Sequence, residues 1–395
     1  MEVLQKQTIA RVNLKDSKIE LEEILLDSEA IGLGSYEIVW EKYKDMMADA
    51  VSKPDKNPFL AISTGPLTGT GVPGSAAYFI SYVSPISGKF TTELCEGSIG
   101  PYLRYAGIEH LVLYGKAKKP VTLWINEKGI NVFPAQEIKN LDNLATSEIL
   151  HRQFGEDAIV ACVGAYDKVA PSKFASVVCD YYHEVEALGL GQAFYNLGIK
   201  ALVVNGKGAI TIANPEEFLQ ELIEIYKYYK ISNQHYTHFN NITGDSFLSP
   251  KNEGSFLEIG NQSFGIAVSN ERTSNFSRNE LLRITQQSIK DGLSWRMVLD
   301  FMAENLDDGG ASYDLSNILR YMENWLPQDL YQTDISTVQA TGLFWDEANL
   351  PFIDAIGRVA KLLRHYSGQE WNSFRLEEVG RQLTSIGDGL TLEVK

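Results

Sequence analysis

Apolar positions along the chain fall into two rhythms, and the change between them comes near residue 214. Over the first half they recur in short runs broken by turns. IARVNLKDSKIELEEIL alternates around a polar DSK segment, and PFLAIS, AAYFISYV, HLVLYG and VTLWI place branched and aromatic residues between glycines and prolines. Such runs suit a pleated, partly buried surface, so they read as strands, the first two as a β-hairpin. One helix interrupts early: YEIVWEKYKDMMADAV has apolar positions at helical spacing, with Ser35 as its cap. A shorter helix is expected near Ile99 to Tyr105. After the hairpin PVTLWINEKGINVFP, another helix, LATSEILHRQFG, ends at Gly155, and AIVACVG, ASVVCD, ALVVNG and AITIA then read as strands.

From Asn214 the spacing becomes helical. NPEEFLQELIEIYKYYK opens with a capping Asn, a proline at the first helical position and acids in the first turn, which meet unpaired N–H groups and the positive end of the helix dipole. Residues 231–275 are polar with weak periodicity and read as an irregular connection across one face of the sheet domain. Beyond them, SRNELLRITQQSIKDG carries a capping box, Ser277 with Glu280. SWRMVLDFMAENL, SYDLSNILRYMENWL, PFIDAIGRVAKLLRHY and SFRLEEVGRQLTSIG follow at helical spacing. The fold class is therefore α+β: a β-rich domain over 1–213, a helix plus connection over 214–275, and an α-helical domain over 276–395.

Composition changes the picture by exclusion. With 395 residues and 44% apolar content the chain can bury a large core. A formal charge of -16 argues against nucleic acid as a partner, because non-specific binding to a phosphate backbone is driven by lysines and arginines. No run approaches eighteen apolar residues and MEVLQKQTIARVNL lacks a leader-like core, so no membrane partner and a cytoplasmic location are expected. Three cysteines, Cys95, Cys162 and Cys179, are too few for a four-thiolate iron-sulfur site within one chain.

Between Asn57 and Gly107 the glycines cluster. Gly69-Thr-Gly71-Val-Pro-Gly74 spells GxGxxG after a strand. A dinucleotide site needs the last glycine to open a helix, whereas Pro73 and a strand lie here, so a structural turn is the better reading. His235 and His238 could hold a divalent metal, but no third ligand is evident by spacing, and solvated loop histidines are the plainer reading. Cys179 and His183 suggest a thiolate–imidazole pair, but spacing gives neither their mutual reach nor an oxyanion pocket, and a buried structural cysteine is the plainer reading of Cys179. Cys162, in an apolar strand, reads as a small core residue.

The run NPFLAISTGPLTGTGVPG, with SPISG, GPYLRYAG, VACVGAYD and GLGQAFYNLGIKALVVNG, resembles the aldehyde ferredoxin oxidoreductases, the tungsten- or molybdenum-pterin enzymes. The resemblance is nearly continuous from Val12 to about Gly206 and weaker beyond. It implies a first domain made of a pair of sheets forming a saddle for a bis-pterin metal cofactor, with helical domains closing over it, here shortened. The cofactor positions depart from the family pattern. The arginine after the GPLTGT loop, suited to pair with pterin phosphates, falls at Ala77, and a family asparagine falls at Leu94. A basic, glycine-rich loop is replaced by Cys179-Asp-Tyr-Tyr-His-Glu-Val-Glu-Ala-Leu-Gly189-Leu-Gly191. His183 and Ala187 stand there at the two arginine positions, and Asp180, Glu184 and Glu186 add three carboxylates where phosphates would bind. The family's iron-sulfur cysteines match His235, His238, Ile242 and Phe344, the last in Gln339-Ala-Thr-Gly342-Leu343-Phe344.

These departures point to a degenerate, cofactor-less relative. It is read as a non-catalytic structural or regulatory subunit that forms a homo-oligomer or pairs with an active homologue, with no pterin, iron-sulfur or metal cofactor. Two other readings stay open. The emptied cleft could take a small-molecule ligand through Asp180, His183, Glu184 and Glu186, or the chain could be an active aldehyde:ferredoxin oxidoreductase.

Overall fold

The computed structural model describes residues 5–26, 33–181, 183–185, 189–232, 255–259, 262–266, 278–305, 322, 325, 335–343 and 355–388. The predicted α+β class is what these residues form. Two six-stranded mixed sheets pack face to face, and helices cover their outer surfaces.

The first sheet comprises β1 (Gln5–Asn13), β2 (Lys18–Leu26), β3 (Phe59–Thr64), β4 (Ala77–Val83), β5 (Phe90–Glu96) and β6 (His110–Tyr114), in the order β2-β1-β6-β3-β4-β5. Only β1 and β6 run parallel; the other neighbours are antiparallel. The second sheet comprises β7 (Val121–Asn126), β8 (Gly129–Pro134), β9 (Ile159–Val163), β10 (Val177–Cys179), β11 (His183–Glu184) and β12 (Ile199–Asn205), in the order β11-β10-β9-β12-β7-β8. Its one parallel pair is β12 with β7.

Central strands are apolar on both faces because both faces are covered. In β4, Tyr78, Ile80 and Tyr82 point between the sheets, where they meet a cluster that includes Leu123, Ala161, Val163, Leu202 and Phe194. Phe79 points the other way, onto α1 (Tyr36–Ser52), with its ring centroid 5.0 Å from that of Tyr36. The same outer face is covered by the helices Ala355–Ser367 and Ser373–Asp388 through Val359, Leu363, Trp371 and Leu376. On the far side of the second sheet, α3 (Asn143–Phe154) packs Leu150 against Val160, Cys162 and Val203. Each large aliphatic or aromatic side chain buried in these layers contributes about 1.5–3 kcal/mol relative to exposure.

The structure corrects several sequence expectations. Ser35 stands at the start of α1 but makes no side-chain cap bond; the buried carboxylate of Glu37 instead accepts the N–H groups of Leu33 (2.7 Å) and Ser35 (3.1 Å). AITIA is not a strand. It runs as extended coil after β12, fixed at its end by Ala213 N donating to Tyr366 O and Asn214 N to His365 O, so its polar backbone is satisfied by a helix end rather than a sheet neighbour. The 231–275 connection contains a regular hairpin, β13 (Ser255–Ile259) with β14 (Gln262–Ile266). The expected helices α2 (Ile99–Tyr105), α5 (Pro215–Ser232), α6 (Arg278–Asp291) and α7 (Trp295–Asn305) are present, and a helix that the sequence pattern did not predict, α4 (Leu190–Leu197), forms within GLGQAFYNLG. Ser277 of the predicted capping box and most of SYDLSNILRYMENWL lie outside the described residues.

Candidate functional site

The GPLTGT loop leaves β3 at Thr64 and folds back onto the chain. Its centre is Arg104, carried by α2 and buried to 6% exposure. The guanidinium Nη1 donates to the carbonyls of Gly65 (3.3 Å), Pro66 (2.8 Å) and Thr68 (2.5 Å), and Nη2 donates to the Tyr366 hydroxyl (2.7 Å). A planar donor fork of this kind suits several acceptors in one plane, and here the loop's own carbonyls supply them. The Tyr105 hydroxyl donates to Gly69 O at 2.7 Å, and Thr68 Oγ1 donates to Ala77 O at 2.7 Å.

The other side of the loop is closed by the 3-10 turn Gln339–Thr341. Leu67 N donates to Thr341 O at 2.8 Å. A Cβ on Gly65 would lie 2.4 Å from Gly342 N, and one on Gly342 would lie 2.2 Å from Thr68 Oγ1. Gly342 also has φ +89, so both position and conformation require glycine there. This is the Gln339-Ala-Thr-Gly342-Leu343 segment singled out in the sequence; Phe344 lies outside the described residues.

Ala77 is fully buried at the start of β4, and Leu94 packs on the apolar cluster covered by α1 and the C-terminal helices. The pairings Ala77↔Glu96 and Phe79↔Leu94 put Ala77, Phe79 and Leu94 on one face of the sheet. That face carries Val338, Ala340 and Leu343 in the same cluster. Residues from the second half therefore fill the surface on which those two positions lie.

The hairpin of β10 and β11 holds the other predicted site residues, and it does not bring them together. Asp180 Oδ1 accepts the Val160 N–H at 3.0 Å, and burial pushes its carboxyl pKa up. His183 Nε2 lies 2.8 Å from Glu96 O. Glu184 Oε2 accepts Trp295 N at 3.1 Å, at the first residue of α7, where the helix dipole favours a carboxylate. Asp180 and Tyr181 have φ of 46 and 74, left-handed values that the tight turn imposes. Gly191 is needed for packing: its Cβ would meet the Ala175 carbonyl carbon at 2.6 Å. Glu186, Ala187, His235, His238 and Ile242 lie outside the described residues.

The cysteines are separate. Cys95 and Cys179 lie between the sheets, and Cys162 points to the opposite side, toward α3, with Sγ 3.6 Å from Ser147 Oγ. Burial raises the thiol pKa of Cys162 and of Cys179, the latter strongly, so neither is an activated thiolate. Cys179 and His183 are opposed across the hairpin, but His183 is committed to Glu96. Among the described residues no group of three or more His, Cys, Asp or Glu side chains could hold a metal ion, and no helix is long and apolar enough to cross a membrane.

Sequence reasoning missed Arg104. Its only signal was one cation inside the short apolar helix of GPYLRYAG. It also missed a cavity of 730 Å³ at the opposite end of β3, bordered by Phe59, Tyr114 and several lysines.

Residues 9–206 match the family model described as aldehyde ferredoxin oxidoreductase, N-terminal domain. The chain is 30% identical over 217 residues to the tungsten-containing aldehyde ferredoxin oxidoreductase of Pyrococcus furiosus, covering 53% of this chain and 34% of that protein. It is 25% identical over 228 residues to a P. furiosus protein named aliphatic sulfonate oxidoreductase, WOR-like subunit, covering 53% of this chain and 35% of that one. The matches thus span about a third of these relatives' length. Among solved structures, one chain of the active site complex BamBC of benzoyl coenzyme A reductase, in complex with 1,5 dienoyl-CoA, superposes with a TM-score of 0.70 at 14% identity, covering 97% of this chain and 88% of that one. At that identity the likeness is one of fold.

Proposed function

The chain belongs to the aldehyde ferredoxin oxidoreductase family, and from that premise we propose that it is a non-catalytic member, a structural or regulatory subunit that folds without pterin or iron-sulfur cofactor. The observation that carries this reading is the Arg104 clamp. The loop whose sequence marks the family is bound internally on one side by a buried guanidinium and on the other by the Thr341–Gly342 backbone.

The residues present do not fit a pterin cofactor with its phosphates. A phosphate site needs cationic or N–H donors facing outward, whereas Ala77 and Leu94 offer apolar surface and Arg104 is spent on the loop itself. The hairpin residues supply a carboxylate at Glu184 and a carboxyl at Asp180, each already bonded to backbone N–H. Three cysteines, Cys95 and Cys179 between the sheets and Cys162 on the far side of the second, do not make a four-thiolate site either. The subunit role rests on inheritance, since paralogues keep their interfaces along with their folds, and on the relative whose own name calls it a subunit.

The test is purification from the native organism, with elemental analysis and an absorbance spectrum. The expected outcome is protein free of tungsten, molybdenum and iron that co-elutes with a full-length family member. Stoichiometric tungsten or molybdenum with a broad visible absorbance would overturn the cofactor-free reading, and a clean monomer without a companion would overturn the subunit reading.

A further inference from the structure

We propose that the cavity at the carboxyl ends of β1 and β6 is a binding site for a nucleotide-sized phosphorylated small molecule. It stands independently of the function proposed above, because it lies at the other end of β3 from the GPLTGT loop. Six residues of strand separate them by about 20 Å.

Size and lining set the ligand class. A volume of about 730 Å³, open to solvent on one side, is large enough to admit a cofactor-sized molecule. Four lysines, Lys15, Lys56, Lys116 and Lys118, border it against two carboxylates, Asp49 and Asp55. That is a local excess of positive charge on a chain whose formal charge is -16. Lysine is an effective phosphate binder as a mobile point charge, so the excess selects an anion. One wall is apolar, with Pro58, Phe59 and Ala117 buried behind it and the half-buried Met46 offering its open surface. An inorganic ion would leave that wall unused, whereas a planar or aliphatic body would cover it. Asp49 and Asp55 then serve as acceptors for the hydroxyl or amino groups of the same ligand.

The lysines are also available. Lys18 at the start of β2 and Lys42 on α1 each pair with a glutamate. Among the described residues Lys15, Lys56, Lys116 and Lys118 enter no ion pair, and Lys116 only rests over the Tyr195 ring at 5.9 Å. Placement supports the assignment as well. The parallel pair β1 and β6 ends at Asn13 and Tyr114, both on the cavity wall, so both chain segments leaving the sheet there border one concavity. The segment Gly115–Lys118 leads directly into β7, so this site spans the connection between the two sheets.

Titration calorimetry of the full chain with ADP and with inorganic pyrophosphate, at low ionic strength, tests the proposal. ADP binding is expected, weakened about tenfold or more by Lys15→Glu/Lys118→Glu and weakened also by Met46→Trp, which fills the apolar wall. The unliganded melting temperature of each variant checks that it is folded. Absence of heat with both ligands overturns the proposal. So does ADP affinity that neither variant changes, and so does pyrophosphate binding as tightly as ADP with no response to Met46→Trp, which would mark a charged surface rather than a site.

Discussion

The two ends of β3 differ in how their polar groups are used. At the Thr64 end, the chain's most family-like sequence is closed on itself: Arg104 holds three loop carbonyls and Tyr366, and Gly65 and Gly342 touch backbone to backbone. At the Phe59 end, where the same family-like run begins at Asn57, a cavity lies open and its lysines enter no ion pair among the described residues. Polar groups that are satisfied internally hold a fold together, and polar groups left facing a cavity can meet a ligand. One family-like run therefore has its polar groups spent at one end and unspent at the other.

The sharpest way to break this contrast is to remove the clamp. Arg104→Ala would leave the carbonyls of Gly65, Pro66 and Thr68 and the Tyr366 hydroxyl without their buried donor. Losing one side of a buried charged network of this kind costs about 3–5 kcal/mol. Urea unfolding should show a loss of that order with an unchanged m-value. A loss under about 1 kcal/mol would mean that the loop does not depend on Arg104 and that this end is not closed as argued.

The closed end also stores a pH dependence. His110, opposite Ser63 in the sheet, is fully buried with Nε2 3.0 Å from Gln7 Oε1, and burial, with Arg104 nearby, lowers its pKa to about 3. It is neutral when folded, and the unfolded chain takes up a proton near pH 6.5. Its contribution is therefore fully present above pH 6.5 and is lost as pH falls toward 3. At pH 4 the loss is about 3 kcal/mol. Glu93 acts in the opposite direction, since burial raises its pKa to about 7; its contribution is present below the unfolded value of 4.5 and lost as pH rises through 7. The measurement is thus a difference: wild type should lose more stability than His110→Gln between pH 7 and pH 4, and parallel curves would refute the assignment.

How much of this the sequence disclosed follows from where the physics was local. Strands such as HLVLYG and helices such as YEIVWEKYKDMMADAV were legible because burial imposes periodicity on neighbouring residues. AITIA misled because its apolar pattern packs against the outer cluster through Ile210 and Ile212 without a sheet partner. Ser35 misled because a cap was already supplied by Glu37, two residues on. The candidate set Asp180, His183 and Glu184 was close in sequence, yet adjacent strand residues point to opposite faces, so each met a different backbone group. Arg104 and the Lys15–Lys118 cavity were not legible, since both join residues far apart in the chain: Arg104 meets Tyr366, and Asn13 meets Gly115.

The smallest expected effect sharpens the comparison from the other side. Lys118 is exposed and, among the described residues, has no ion pair, so Lys118→Ala removes no interaction that folding formed. It does remove one of four like charges around a single cavity, and charges within about 10 Å of each other repel at low ionic strength. The substitution should leave stability within about 0.5 kcal/mol of wild type, with any change on the stabilising side at low salt and gone at high salt. Because the whole chain is acidic, long-range attraction from the other carboxylates opposes that gain, and the salt series separates the two: a local relief fades as salt rises, whereas a net loss that salt abolishes would mean the distant acids dominate. A salt-independent loss above about 1.5 kcal/mol would instead mean that Lys118 is tied into the fold much as Arg104 is, and the two ends of β3 would no longer differ in kind.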